Sequence, residues 1–200
     1  MAAAISVELK GFKELQDMLS PTKFTRRLKK HVGNATANIA LDAEGAIKDA
    51  MAEGKVGPPN AAITVALKGS DRPLFDSGDL SKSINGRAED WDEAVVGVLK
   101  SETITDEETG KTKDILNIAR TVHDGATIDV TDKMRAFFRT MAYKFKSGDT
   151  KKPWKPLKDS TKVIVIPPRP FLEIATTQEM IKKYRVKWDE AIQAAMSGRD

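Results

Sequence analysis

FTRRLKKHVGNATANIALDAEGAIKDAMAE, residues Phe24–Glu53, is the stretch that decides the fold. Phe24, Leu28, Val32, Ala35, Ile39, Ala43, Ile47 and Met51 recur every three or four residues, which places them on one stripe of a single long helix. Gly54 stops that helix, and Gly57-Pro58-Pro59-Asn60 forbids its continuation. The simplest use of so long a one-sided apolar stripe is as core against a sheet. A groove for a partner is the other use of Met and aliphatic side chains in such a row.

The elements around it are shorter. Ile5, Val7 and Leu9 alternate with polar residues and predict a half-buried strand, followed by a short helix carrying Phe12, Leu15 and Leu19 up to Pro21. A second short helix is expected near Leu80–Ile84, then a buried strand in AVVGVL, Ala94–Leu99. Thr103–Lys113 reads as a polar hairpin tip leading to a strand in ILNIA, Ile115–Ala119. Thr131 or Asp132 suits the cap of a helix bearing Met134, Phe137, Phe138 and Met141. VIVI, Val163–Ile166, reads as a strand stopped by Pro167-Pro168. Thr176 and Glu179 have capping-box spacing ahead of a last helix that sets Ile181, Tyr184, Trp188, Ile192 and Ala195 on one face. The expected class is α+β: a small, mostly antiparallel sheet packed by a long N-terminal helix and a C-terminal helix. A single domain over residues 1–200 is expected, with an exposed basic arm at about 143–162.

Composition narrows the chemistry. At 200 residues, 40% hydrophobic and 31% charged, the chain has the balance of a globular domain with a real core. It has no cysteine, which excludes disulfides, iron–sulfur clusters, cysteine zinc sites and thiol nucleophiles together. MAAAISVELK lacks a basic flank and a long apolar stretch, so neither a signal peptide nor a membrane span is expected and the cytoplasm is the expected place of synthesis.

The net charge of +4 is small, but its distribution is uneven. Lys133–Arg169 holds eleven Lys or Arg against Asp149 and Asp159 alone. Lys23, Arg26, Arg27, Lys29 and Lys30 form a second basic cluster, and Glu102–Asp114 carries five acids against Lys111 and Lys113. Such asymmetry marks either solvated faces, a surface for a polyanion, or complementary subunit surfaces.

No catalytic constellation is legible. The glycines are scattered, without a phosphate-binding loop, and Asp76-Ser77-Gly78 reads as a turn rather than a nucleophile elbow. His31 lies among lysines on a helix. Asp76, Asp79, His123 and Asp124 are the one metal-like set, suited to Mg²⁺ or Mn²⁺, but their spacing does not require them to converge and turn capping explains both Asp76 and Asp79. Asp106, Glu107 and Glu108 sit on a hairpin tip open to water, which does not raise a carboxyl pKa for acid catalysis. An enzyme, a metal and a cofactor are therefore not expected.

Three segments, in order, carry a resemblance. LFDSGDLSKSI, Leu74–Ile84, is similar to the Leu-x-Asp-Thr/Ser-Gly-x-Leu-x-x-Ser-Ile signature of the virion-morphogenesis or tail-completion proteins of tailed bacteriophages, here through Asp76, Ser77, Gly78, Leu80 and Ile84. NIARTVHDG, Asn117–Gly125, resembles the family's strand ending in a His near a Gly, His123 and Gly125, with one residue fewer between them than the usual His-x-x-Gly. IPPRPFLEIA, Ile166–Ala175, is similar to the Ile-Pro-Ala-Arg-Pro-Phe-Leu string, with Pro168 where alanine is usual and Arg169, Pro170, Phe171 and Leu172 in place. TDKMRAFF, Thr131–Phe138, resembles the Mu-type branch.

The resemblance implies a structural virion protein, not an enzyme: a ring-forming neck or tail-completion subunit at the head–tail junction, assembled in the host cytoplasm. The implied partners are further copies of itself, in a ring of sixfold symmetry, the neighbouring connector and stopper proteins, the tail terminator or tail tube, and DNA passing through the channel, with no membrane. The expected assembly contacts are Lys144, Lys146, Lys151, Lys152, Trp154, Lys155 and Lys158 in the basic segment, and Asp106, Glu107 and Glu108 in the acidic hairpin. The competing expectation is a nucleic-acid-binding module that sets the same lysines on phosphates and stacks Phe145 and Trp154 on bases.

Overall fold

The computed structural model describes residues 20–61, 64–65, 71–74, 78–98, 103–105, 112–146 and 156–197. The strand expected at Ile5–Leu9, the helix expected over residues 12–19, Asp76 with Ser77, the hairpin tip at 106–111 and the stretch 147–155 lie outside them.

The long helix is present as α1, Pro21–Ala52. Proline suits its first position, where the missing N–H costs no intrahelical bond. Val32, Ala35, Ala43, Ile47 and Met51 of the apolar stripe are buried, joined by Thr36 and Ala40. Its end is a Schellman motif: Lys55 N–H donates to Ala50 O at 2.9 Å and Gly54 N–H to Met51 O at 3.2 Å, with Gly54 at φ 71°. A one-turn helix α2, Asp79–Ser83, leads into strands β1, Ile84–Ala88, and β2, Ala94–Val98, which pair as a hairpin. Strands β3, Thr103–Thr105, and β4, Thr112–Asp114, pair antiparallel and bracket the acidic tip.

Helix α3, Ile115–Asp124, corrects two expectations, the strand in Ile115–Ala119 and the strand ending at His123. Asp114 is the cause. Its carboxylate accepts from the N–H groups of Leu116 and Asn117, at 2.9 and 3.4 Å, and from Asn117 Nδ2 at 2.8 Å. That cap turns the chain into a helix whose Ile115 and Ala119, four apart, are the buried pair. A short apolar run fits either period, and the cap decides.

Strand β5, Ala126–Asp129, pairs antiparallel with β6, Val163–Ile166, Ile128 facing Ile164. Between them lies α4, Asp132–Lys146, with Thr131 Oγ1 accepting from Met134 N–H at 3.3 Å. Residues 143–146 of the expected arm are thus the last turn of α4. A 3₁₀ helix, Phe171–Thr176, precedes α5, Gln178–Met196. Because Thr176 belongs to that 3₁₀ turn, the cap of α5 is Thr177, extended at φ −62° and ψ 152°, its Oγ1 accepting from Met180 N–H at 3.4 Å. The cap expected at Thr176 is displaced by one residue, and with Met180 three residues on it is a simple cap rather than a capping box.

The class is α+β, with strands in two-stranded ladders. The chain forms two compact units, each discontinuous in sequence. Among the described residues, the first takes α1 up to Gly45, Asn85–Gly97 and the chain from Ala175; the second takes Ala46–Ile84 and Val98–Ile174. In the first unit Val32, Ala35 and Ala191 form a core with Leu28 and Trp91 against it. Thr36 is fully buried there and satisfied twice: its Oγ1 donates to Trp91 O at 2.9 Å and accepts from Trp188 Nε1 at 3.2 Å. Lys187 and Asp42 pair between α5 and α1. Gly86 of β1 lies so close to α1 that an added Cβ would meet Ala40 O at 2.2 Å, and its N–H donates to Glu44 Oε2 at 2.7 Å.

Candidate functional site

The second unit gathers the motif residues. Gly78 is the N-cap of α2 at φ 80°, a left-handed conformation that favours glycine, and Asp79 in the first turn lies 3.8 Å from Lys82. Leu80 and Ile84 are buried anchors, and α2 packs against α3. Asp76 and Ser77 of the same motif lie outside the described residues.

At the far end of α3 the second and third segments meet. Arg169 N–H donates to Val122 O at 2.9 Å. The His123 ring stands edge-on to Phe171, centroids 5.4 Å apart and planes at 81°, and Phe171 is completely buried. Gly125, at φ 77°, lets the chain pass: a Cβ there would lie 2.8 Å from Ile166 O and 2.9 Å from Pro168 N.

Arg169 is the centre of this junction. It is 9% exposed, and its Nε and Nη2 donate to Pro58 O while Nη2 also donates to Asn60 Oδ1 at 3.3 Å. Asn60 Nδ2 in turn donates to the carbonyls of Arg72 and Asp71, at 3.0 and 3.4 Å. Burial holds the guanidinium below its usual pKa. Gly57, at φ 67°, presses on the arginine stem, where an added Cβ would lie 2.7 Å from Arg169 Cγ. In the sequence, Gly57-Pro58-Pro59-Asn60 signals only a helix stop. Its second job, as acceptor for an arginine more than a hundred residues away, has no signal in local pattern. Pro167 and Pro168 are exposed, as are Gly57, Pro58 and Pro59.

Chemically this arrangement holds chain segments together. His123 Nδ1 lies 2.9 Å from Asp124 Oδ1. No group of three or more His, Asp or Glu that could hold a metal ion occurs among the described residues.

The basic segment divides in two. Arg135 of α4 ties the returning chain, Nη1 donating to Lys158 O at 3.0 Å and Nη2 to Thr161 O at 2.7 Å, while Arg139 lies 3.6 Å from Asp159. With Arg169, these basic groups serve the chain's own structure. Lys133, Lys158 and Lys162 are exposed, as are Phe137 and Tyr143 on α4. Lys144 and Lys146 end α4, their side chains outside the described residues. Lys151, Lys152, Trp154, Lys155, Asp106, Glu107 and Glu108 also lie outside them.

No protein-family model, curated protein or solved structure matches this chain. No described helix is long and apolar enough to cross a membrane.

Proposed function

We propose that this chain is a structural virion protein of a tailed phage, a ring-forming neck or tail-completion subunit that finishes the tail top and helps join it to the head. The observation that supports this most is the junction at Arg169. Two of the three segments that resemble the tail-completion motif, distant in sequence, meet there through Val122, His123, Gly125 and Phe171. The third reaches the same unit through α2 on α3. The motif residues are thus scaffold, and the work of the protein falls to its surfaces. Ring closure requires a heterologous contact, and exposed lysines on one face with carboxylates on another supply register and encounter rate.

Electron microscopy of lysates from a phage lacking the gene, beside complemented ones, tests the reading. Filled heads apart from tails, or tails with unfinished upper ends, are expected. Normal, joined, infectious particles would overturn it. The exposed Phe137, one turn from Lys133 on α4, and the exposed Tyr143 favour nucleic-acid binding as the second reading. Oligonucleotide binding by the purified chain that weakens steeply with salt would bring that reading forward.

A further inference from the structure

The first unit carries an open apolar groove of about 480 Å³, walled by Ile39 and Ala43 of α1, Val96 of β2, and Tyr184 and Trp188 of α5. The hydroxyl of Tyr184 is buried without a hydrogen-bond partner, so this wall is short of an acceptor. Exposed Asp92 and Glu93 border the groove just before β2, and exposed Arg185 borders it on α5.

The second unit carries an apolar edge strand. Val163 and Val165 of β6 are 44% and 65% exposed, and they share one face of the ladder with Asp129 and Thr127, which lie opposite them on β5. Lys162 O accepts from Val130 N–H at 2.8 Å. In the antiparallel alternation the backbone polar groups of Ile164 therefore turn toward β5, and those of Val163 and Val165 turn away from it. Among the described strands β6 pairs with β5 alone, and no charge or proline interrupts Val163–Ile166 to guard that outer edge.

We propose that these two surfaces meet between copies of the chain: β6 of one copy lies against the groove of the next, with Val163 and Val165 seated between α1 and α5. The charges agree in both signs. Lys162, exposed at the start of β6, answers Asp92 and Glu93, while Asp129, opposite Val163, answers Arg185. The outward carbonyls of Val163 and Val165 offer the acceptor that Tyr184 lacks in the separate chain. Because the two surfaces differ, the contact is heterologous: every copy offers both, and repetition closes a ring or runs on as a filament. This is the contact that the ring reading requires, and its closure rests on that reading.

The test uses the purified full chain, with oligomeric mass followed by native mass spectrometry over a range of concentration. Lys162→Glu alone, and Asp92→Lys/Glu93→Lys alone, each set like charges together and should dissociate at roughly tenfold higher concentration than the parent. All three positions are exposed, so circular dichroism should be unchanged. An equal mixture of the two variants should recover assembly to within about threefold of the parent, since every contact in an alternating oligomer is matched again. With Lys133→Glu as the second chain, the Asp92→Lys/Glu93→Lys chain should stay dissociated. The chain has no cysteine, so mixing Val165→Cys with Val96→Cys supplies a second readout: disulfide-linked pairs holding one of each.

An oligomer that neither variant weakens would overturn this contact and leave the ring reading in place. A chain monomeric at every concentration, a mixture that does not recover, or recovery with Lys133→Glu would also overturn it. So would a disulfide formed within a single Val96→Cys/Val165→Cys chain. The ring reading falls separately, on the phage lysates, and a recovered mixture would then stand as a heterologous contact outside the phage neck.

Discussion

Arg169 and Pro58 are 111 residues apart, yet the guanidinium donates to that one carbonyl from Nε at 3.3 Å and from Nη2 at 3.2 Å. The loop that ends the long helix is thereby fixed to the segment that opens the 3₁₀ turn. Its third bond, to Asn60 Oδ1, extends the network to the carbonyls of residues 71 and 72.

Removing the fork should be costly. Arg169→Met keeps the stem that packs on Gly57 but leaves the Pro58 carbonyl short of its donors, and a loss of about 1–3 kcal/mol is expected in urea unfolding. Arg169→Lys keeps the charge without the planar fork and should recover less than half of that loss. Equal stability of all three chains would remove Arg169 from the centre of the junction.

Gly125→Ala should be among the most damaging single-methyl additions. The residue sits at φ 77° and ψ 171°, a region that glycine alone occupies readily, and the new Cβ would press on Ile166 O and Pro168 N. Strain and contact together predict a loss of about 2 kcal/mol or more. Gly45→Ala, inside α1 with open space at its Cβ, is the control and should stabilise by up to about 1 kcal/mol.

Thr36→Val removes a hydroxyl that bonds both Trp91 O and Trp188 Nε1 inside the first unit. The shape is preserved, so the expected loss of about 1–3 kcal/mol reports the two orphaned groups rather than a cavity. Trp188 loses an acceptor, and its fluorescence should shift in the folded state.

Tyr184 gives a pH signature. Burial first, and then the Asp42 carboxylate, raise its phenol above the ordinary value near 10. The folded protein therefore holds this proton to higher pH than the unfolded chain does. The stability it contributes is fully present below pH ~10 and is lost as pH rises from there through the folded pKa. Tyr184→Phe should flatten that alkaline decline. At pH 7 it should change stability by less than about 1 kcal/mol, toward stabilisation, because the hydroxyl it removes is buried without a partner. Urea unfolding between pH 7 and 11.5 separates these outcomes.

Elements whose signals are local were legible in the chain alone. The stripe from Val32 to Met51 repeats through several turns of α1, and Gly54 with two prolines behind it can only end a helix. Thr131 and the β-branched run VIVI, stopped by two prolines, were equally readable, as was the α+β class that they compose. Tertiary structure decided what depends on distant partners. ILNIA satisfies two periods, and the Asp114 cap with the packing of α3 on α2 selects the helix. Ala126–Asp129 is polar enough to pass for a loop and becomes β5 because β6 lies beside it. Arg169 and the Pro58 carbonyl are each unremarkable in local pattern. Only the fold buries the guanidinium, which then binds whichever carbonyl the chain brings within reach.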